Sequence, residues 1–125
     1  MTLVDTSVWV QHLRHTDEPL AAMLRASVVV VHPWVIGELA LGSIARRSEF
    51  LHLLTAMPQA PRVSDADMRA LVERRRLHAR GLGWVDVQLL ASALLGRHGL
   101  YTRDRRLAAV ADELGVPSSV TAHQA

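Results

Sequence analysis

Cysteine does not occur in the 125 residues. Its absence excludes disulfides, thiolate nucleophiles and cysteine-ligated zinc, and it fits a reducing cytoplasm. Lysine is absent as well, so all 14 basic residues are arginine. A receiver-like phospho-acceptor domain, which wants a lysine near its last strand, is disfavoured on that ground. Long apolar runs are missing: the longest, around Ser27 to Val31, is far too short to span a bilayer. The opening MTLVDTSVWV has neither the basic n-region nor the small-residue cleavage site of a signal peptide. The expectation is a cytoplasmic protein with no membrane partner. There is no glycine-rich phosphate loop, no internal repeat and no low-complexity linker. The seven histidines show no metal spacing: His12 and His15 stand three apart without a third ligand.

What is present reads as an ordinary globular chain. Half of it is apolar, a fifth is charged, and the net charge is +2. The length suggests one domain over residues 1–125. Short apolar runs alternate with helical patterns, the mark of an α/β fold with a parallel sheet. Strands are expected at Thr2–Val4, Val28–Val31, Arg62–Val63, Leu100–Thr102 and from Val116, with a loose tail after Val120. Helices are expected from Thr6 or Ser7, over Glu18–Ala26, from Pro33, over Ser48–Met57, from Ser64 to about Arg80, over Trp84–Arg97 and over Arg105–Leu114. Arg74, Arg75, Arg76 and Arg80 read as a solvated helix face. Arg103, Arg105 and Arg106 form a second basic cluster, and arginine suits phosphate.

Four of the 12 acidic residues occupy unusual places. Asp5 directly follows an expected strand and Asp104 stands at the equivalent place after Leu100–Thr102, at the edge where open parallel sheets bind ligands. Glu38 lies in the apolar helix Val35–Leu41. Asp86 sits between Val85 and Val87 at the start of the most apolar helix. Each also has a local reading: Asp5 and Asp104 as helix caps, Asp86 as a partner of its helix dipole, Glu38 as the partner of an arginine. Together they suggest one acidic site. Gathered like charges raise one another's pKa. A divalent cation resolves that conflict, and an all-oxygen donor set suits Mg²⁺ or Mn²⁺. The remaining acids, Asp17 among them, fall in polar stretches or at helix starts.

Four segments carry a family resemblance: Val4-Asp5-Thr6-Ser7-Val8-Trp9; Val35-Ile36-Gly37-Glu38-Leu39-Ala40-Leu41-Gly42; Gly83-Trp84-Val85-Asp86-Val87-Gln88-Leu89-Leu90-Ala91-Ser92-Ala93; and Leu100-Tyr101-Thr102-Arg103-Asp104-Arg105-Arg106-Leu107. In order and spacing they resemble PIN-domain proteins, especially VapC toxins of bacterial toxin–antitoxin pairs. The resemblance implies a three-layer α/β/α sandwich with a four- or five-stranded parallel sheet. It implies an Mg²⁺- or Mn²⁺-dependent endoribonuclease acting on RNA, with Asp5 and Asp86 as the main metal ligands and Glu38 and Asp104 completing the catalytic cluster. Thr6, Ser7 and Thr102 would orient carboxylates or waters, and Arg103, Arg105 and Arg106 would hold the RNA backbone. A VapB-type antitoxin and a homodimer are the partners it implies. Arg46 or Arg47, and apolar helices at Leu20–Leu24 and Leu51–Met57, are available for such contacts. A stand-alone ribonuclease in RNA processing, or a non-catalytic RNA- or protein-binding module, remains open at this point.

Overall fold

The computed structural model describes residues 1–119; the tail expected to be loose after Val120 lies outside them. Strands and helices alternate in the order β1 (Thr2–Val4), α1 (Thr6–Arg14), α2 (Glu18–Arg25), β2 (Val29–Val30), α3 (Pro33–Ala40), α4 (Arg47–Ala56), α5 (Asp65–Arg75), α6 (Trp84–Gly96), β3 (Gly99–Tyr101), α7 (Arg105–Glu113) and β4 (Ser118–Ser119). The strands form one parallel sheet in the order β2-β1-β3-β4. Its central strands are buried beyond their first residues, with Leu3, Val4, Leu100 and Tyr101 all in the core. Buried strands need continuous apolar runs rather than alternation, which is how these segments read.

The chain leaves β1 to form β2 on one side, then returns past β1 to form β3 and β4 on the other. The carboxyl ends of β1 and β3 therefore flank the point where strand order reverses, the place where open parallel sheets bind ligands. Because parallel crossovers are right-handed, the α1–α2 and α7 connections cover opposite faces of the sheet.

Caps fix where the helices begin. Asp17 Oδ2 accepts from Leu20 N at 3.0 Å to open α2, and Ser64 Oγ accepts from Asp67 N at 3.1 Å to open α5. His32 Nδ1 accepts from Trp34 N at 2.9 Å to open α3. Burial holds the His32 imidazole below the usual histidine range. A lowered folded value means that His32 contributes stability above its unfolded value near 6.5 and loses it as pH falls through the folded value. The slope of melting temperature between pH 7 and pH 5 should be shallower in His32→Asn than in the wild type. Equal slopes would remove His32 from the acid response.

Two expectations fail. Arg62–Val63 is not a strand. Its place beside α6 is held by side chains instead: Gln88 bonds both the N–H and the carbonyl of Val63, at 2.7 and 3.0 Å, and Ser92 Oγ donates to Pro61 O at 2.7 Å. A single parallel bridge, Val31 to Gln59, extends the sheet just upstream. Helix α5 stops at Arg75, well short of Arg80. Arg76 takes the left-handed conformation at φ 54°, and Leu77 N bonds Val72 O at 3.0 Å. Leu77 is buried; turning it into the core offsets the cost of left-handed geometry at an arginine, a position usually given to glycine.

Candidate metal centre

Asp5 is delivered to this edge of the sheet by the end of β1, its backbone N–H bonded to Tyr101 O of β3 at 2.9 Å. It is 8% exposed. Although Asp5 occupies the cap position of α1, its side chain makes no capping bond. Instead Oδ2 accepts two hydroxyls: Thr102 Oγ1 at 2.6 Å and Ser7 Oγ at 3.0 Å. These hydroxyls are themselves held. Asp104 N donates to Thr102 Oγ1 at 3.0 Å, and Arg103 N donates to Ser7 Oγ at 3.2 Å. Thr6 Oγ1 donates to Glu38 Oε1 at 2.5 Å, linking α1 to α3.

Asp86 is half-buried in the first turn of α6, where Oδ2 accepts from Gly83 N at 2.8 Å. Burial pushes its carboxyl above the usual carboxylate range. The Gly83 N–H pulls the other way, while the charges of Asp5, Asp104 and Glu38 push it up further. One carboxylate thus feels the charge of the other three, so the four sequence-predicted acids lie within electrostatic reach of Asp86. Asp104 caps α7 as its local reading holds: Oδ1 accepts from Arg106 N at 2.9 Å and Leu107 N at 3.3 Å. Glu38 departs from the sequence picture, because the apolar residues around it do not bury it. It stands on the exposed side of α3, bonded to Thr6 rather than paired with an arginine.

These donors are all oxygens and repel one another, which suits a hard divalent cation. Among the described residues no group of three His, Asp or Glu is already arranged as a direct ligand cage. A cation held by these acids would keep much of its water shell, as Mg²⁺ does with one or two carboxylates.

The arginines divide. Arg103, Arg105 and Arg106 are exposed beside Asp104, but Arg106 also lies over Gly81: a Cβ there would meet Arg106 Nη1 at 2.5 Å, and φ is +79°. Arg80 forms a two-point ion pair with Glu113 of α7, at 3.1 and 2.6 Å, and Arg75 Nη2 donates to Glu113 O at 3.2 Å. Part of the first cluster therefore fastens the 76–83 segment along α7. Arg46 pairs with Glu49 at 2.7 Å, and Arg47 donates to Ala40 O through Nε and Nη2. Next to Thr6 and Glu38 an apolar groove of about 300 Å³ runs between Val10, Leu13, Leu39 and Ile44, with Arg14 at its edge.

Asp17 is the acid that the sequence undervalued. It is 6% exposed and accepts from Tyr101 OH at 2.7 Å as well as capping α2. Burial and the Asp17 charge hold the Tyr101 phenol far above its ordinary range. The one available signal was the chain's only tyrosine, placed in a strand buried on both faces, where its hydroxyl needs an acceptor.

Comparison with known proteins bears on this site. The PIN domain sequence model matches residues 2–113. Ribonuclease VapC32 of Mycobacterium tuberculosis, from strains CDC 1551 / Oshkosh and ATCC 25618 / H37Rv, is 51% identical over 117 residues, 93% of this chain and 94% of its own. In fold, the crystal structure of PAE2754 from Pyrobaculum aerophilum is similar with a TM-score of 0.62 over 95% of this chain and 83% of that one, at 19% identity.

Proposed function

The chain belongs to the PIN-domain family, as one of its VapC-type ribonucleases, and from that premise we propose an endoribonuclease that works with Mg²⁺ or Mn²⁺ at Asp5, Asp86, Glu38 and Asp104. The observation that supports it is Asp86, whose charge is opposed at once by the three other carboxylates. Clustered uncompensated acids oppose folding, and a bound cation removes that conflict.

Asp5 and Asp86 are the main ligands in this reading. The hydroxyls of Ser7 and Thr102 hold Oδ2 of Asp5, and Oδ1 is the oxygen this reading gives to the cation. Glu38, steadied by Thr6, and Asp104 complete the acidic wall, and one of them accepts a proton from the attacking water. Arg103, Arg105 and Arg106 hold the RNA backbone. A bound divalent cation supplies Lewis-acid activation of water and stabilises charge developing on the phosphate.

The same reading gives the protein a VapB-type antitoxin, with the chain acting as a toxin in the cytoplasm and as a homodimer. The apolar groove beside Glu38 supports a partner segment docked next to the acids. Among the described residues no helix is long and apolar enough to cross a membrane. Purified protein should cut a mixed RNA pool with Mn²⁺ or Mg²⁺ and stop in EDTA. Cleavage that ignores EDTA, or none with either metal, overturns the catalytic reading. Expression without a partner should slow bacterial growth, and a small antitoxin gene should lie directly upstream. Normal growth with abundant soluble protein would favour a stand-alone ribonuclease of RNA processing.

A further inference from the structure

Behind the acid cluster lies a buried polar pair that the chemistry above does not use. His32 and Gln88 are both fully buried. His32 Nδ1 accepts from Trp34 N at 2.9 Å, so the ring proton belongs on Nε2, which donates to Gln88 Oε1 at 3.0 Å. Gln88 Oε1 also accepts from Val63 N at 2.7 Å; its Nε2 donates to Val63 O at 3.0 Å and reaches Met68 Sδ at 2.9 Å. Both imidazole nitrogens and the full capacity of the amide are used. Such a network adds little stability over an apolar pair of the same shape. What it adds is direction, since each partner has one satisfied geometry.

The two ends of the pair matter. His32 caps α3, the helix of Glu38. Gln88 lies two residues beyond Asp86 in α6. Helix α3 packs against α1 and α4, whereas α6 packs against α5 and β3. The His32–Gln88 bond thus crosses between two groups of helices, one carrying Glu38 and the other Asp86, whose charge feels that of Glu38. Glu38 lies six positions beyond His32, about 9 Å along the helix at about 1.5 Å per residue. A shift at the cap is therefore carried to the carboxylate.

We infer that His32 and Gln88 are positioning residues, whose hydrogen bond sets the spacing of α3 from α6 and with it the separation of the Glu38 and Asp86 carboxylates. This rests on the metal-dependent reading above for its consequence, though not for the spacing itself.

Three variants separate the link from the cap. In His32→Asn the side-chain oxygen takes the place of Nδ1, so the cap is kept and the link to Gln88 is lost. In His32→Gln the amide takes the place of Nε2, so the link is kept and the cap is lost. Gln88→Met removes the link from the other side. Because the chain has no cysteine, spin labels on Leu41→Cys and Leu95→Cys, both exposed, report the α3–α6 distance in the metal-free protein. Calorimetry with Mn²⁺ reports the site. In His32→Asn and Gln88→Met the distance distribution should shift or broaden, and Mn²⁺ affinity should fall about 10- to 100-fold, the usual effect of losing a support behind a metal ligand. His32→Gln should keep both wild-type values while melting lower. The double variant His32→Asn/Gln88→Met should bind Mn²⁺ no worse than either single variant, as expected for one shared link. An unchanged distance in His32→Asn overturns the inference, and so does a changed distance with wild-type Mn²⁺ affinity. Wild-type protein that binds no Mn²⁺ overturns the metal reading alone, and the distance measurement still decides the spacing. Should Gln88→Met fail to fold, the His32 pair carries the test.

Discussion

Asp5→Asn and Asp86→Asn should leave folded proteins that cut RNA at less than about a hundredth of the wild-type rate. Loss of a residue that merely supports a metal ligand costs about 10- to 100-fold, so loss of a ligand charge should reach at least the upper end. The opposite sign is expected for stability without metal. The Asp86 carboxyl is raised above its ordinary range in the fold, so its protonated form favours folding. That contribution is present below the unfolded value near 3.8 and is lost as pH rises through the folded value. At neutral pH the carboxylate opposes the fold, and Asn keeps an acceptor for Gly83 N without the charge. In EDTA at pH 7, Asp86→Asn should therefore melt above the wild type, and the gap should close in acid. Excess Mn²⁺ should reverse the order, because a cation at 100 times its dissociation constant stabilises the folded state by about 2.7 kcal/mol. Asp65→Asn, whose carboxylate pairs with Arg69 within α5, is the control and should cut RNA normally. If Asp86→Asn unfolds the metal-free protein, its bond to Gly83 N is its main role. If both variants fold and cut at the wild-type, metal-dependent rate, the active site lies elsewhere.

The sequence made the delivery of these acids legible. Asp5 and Asp104 follow apolar β-branched or aromatic runs, and strand ends in a parallel sheet share one edge. Helix starts were legible where a cap residue stood in place, as at Ser64 and Asp104. Less legible was anything decided by a distant partner. Nothing local distinguishes Arg62–Val63 from a strand, because the groups that satisfy its backbone belong to Gln88 and Ser92, about 25 to 31 positions later. The end of α5 was missed because Arg76 carries no stop signal; the burial of Leu77 turns the chain. Glu38 looked buried from its neighbours along the chain, yet a helix keeps one face outward, and that face was not fixed by so uniformly apolar a segment. Arg80 looked solvated until Glu113 came into reach.

Asp17 and Asp5 are both nearly buried acids bonded to hydroxyls from the end of β3, and their substitutions should behave in opposite ways. Asp17 Oδ2 serves Leu20 N and Tyr101 OH together. Asp17→Ala removes a helix cap, worth about 1 kcal/mol, and strands a buried hydroxyl, worth about 1–3 kcal/mol. The expected loss is about 2–4 kcal/mol, a large part of the stability of a domain this size. Tyr101→Phe deletes the hydroxyl but leaves the Asp17 cap bond, so about 1–3 kcal/mol should go. In Asp17→Ala/Tyr101→Phe no hydroxyl is stranded, and the double variant should lose clearly less than the sum of the two. Urea unfolding at pH 7 measures all three. The distinguishing result comes from cleavage at low temperature, where each variant is still folded. Asp17→Ala should keep its metal-dependent rate within a fewfold of the wild type, because the Asp17 carboxylate is engaged by Leu20 N and Tyr101 OH. Strict additivity in urea would mean that the Tyr101–Asp17 bond contributes nothing. A cleavage rate as low as that of Asp5→Asn in a folded Asp17→Ala would make Asp17 part of the reacting site, and the division between structural and metal-holding acids would have to be redrawn.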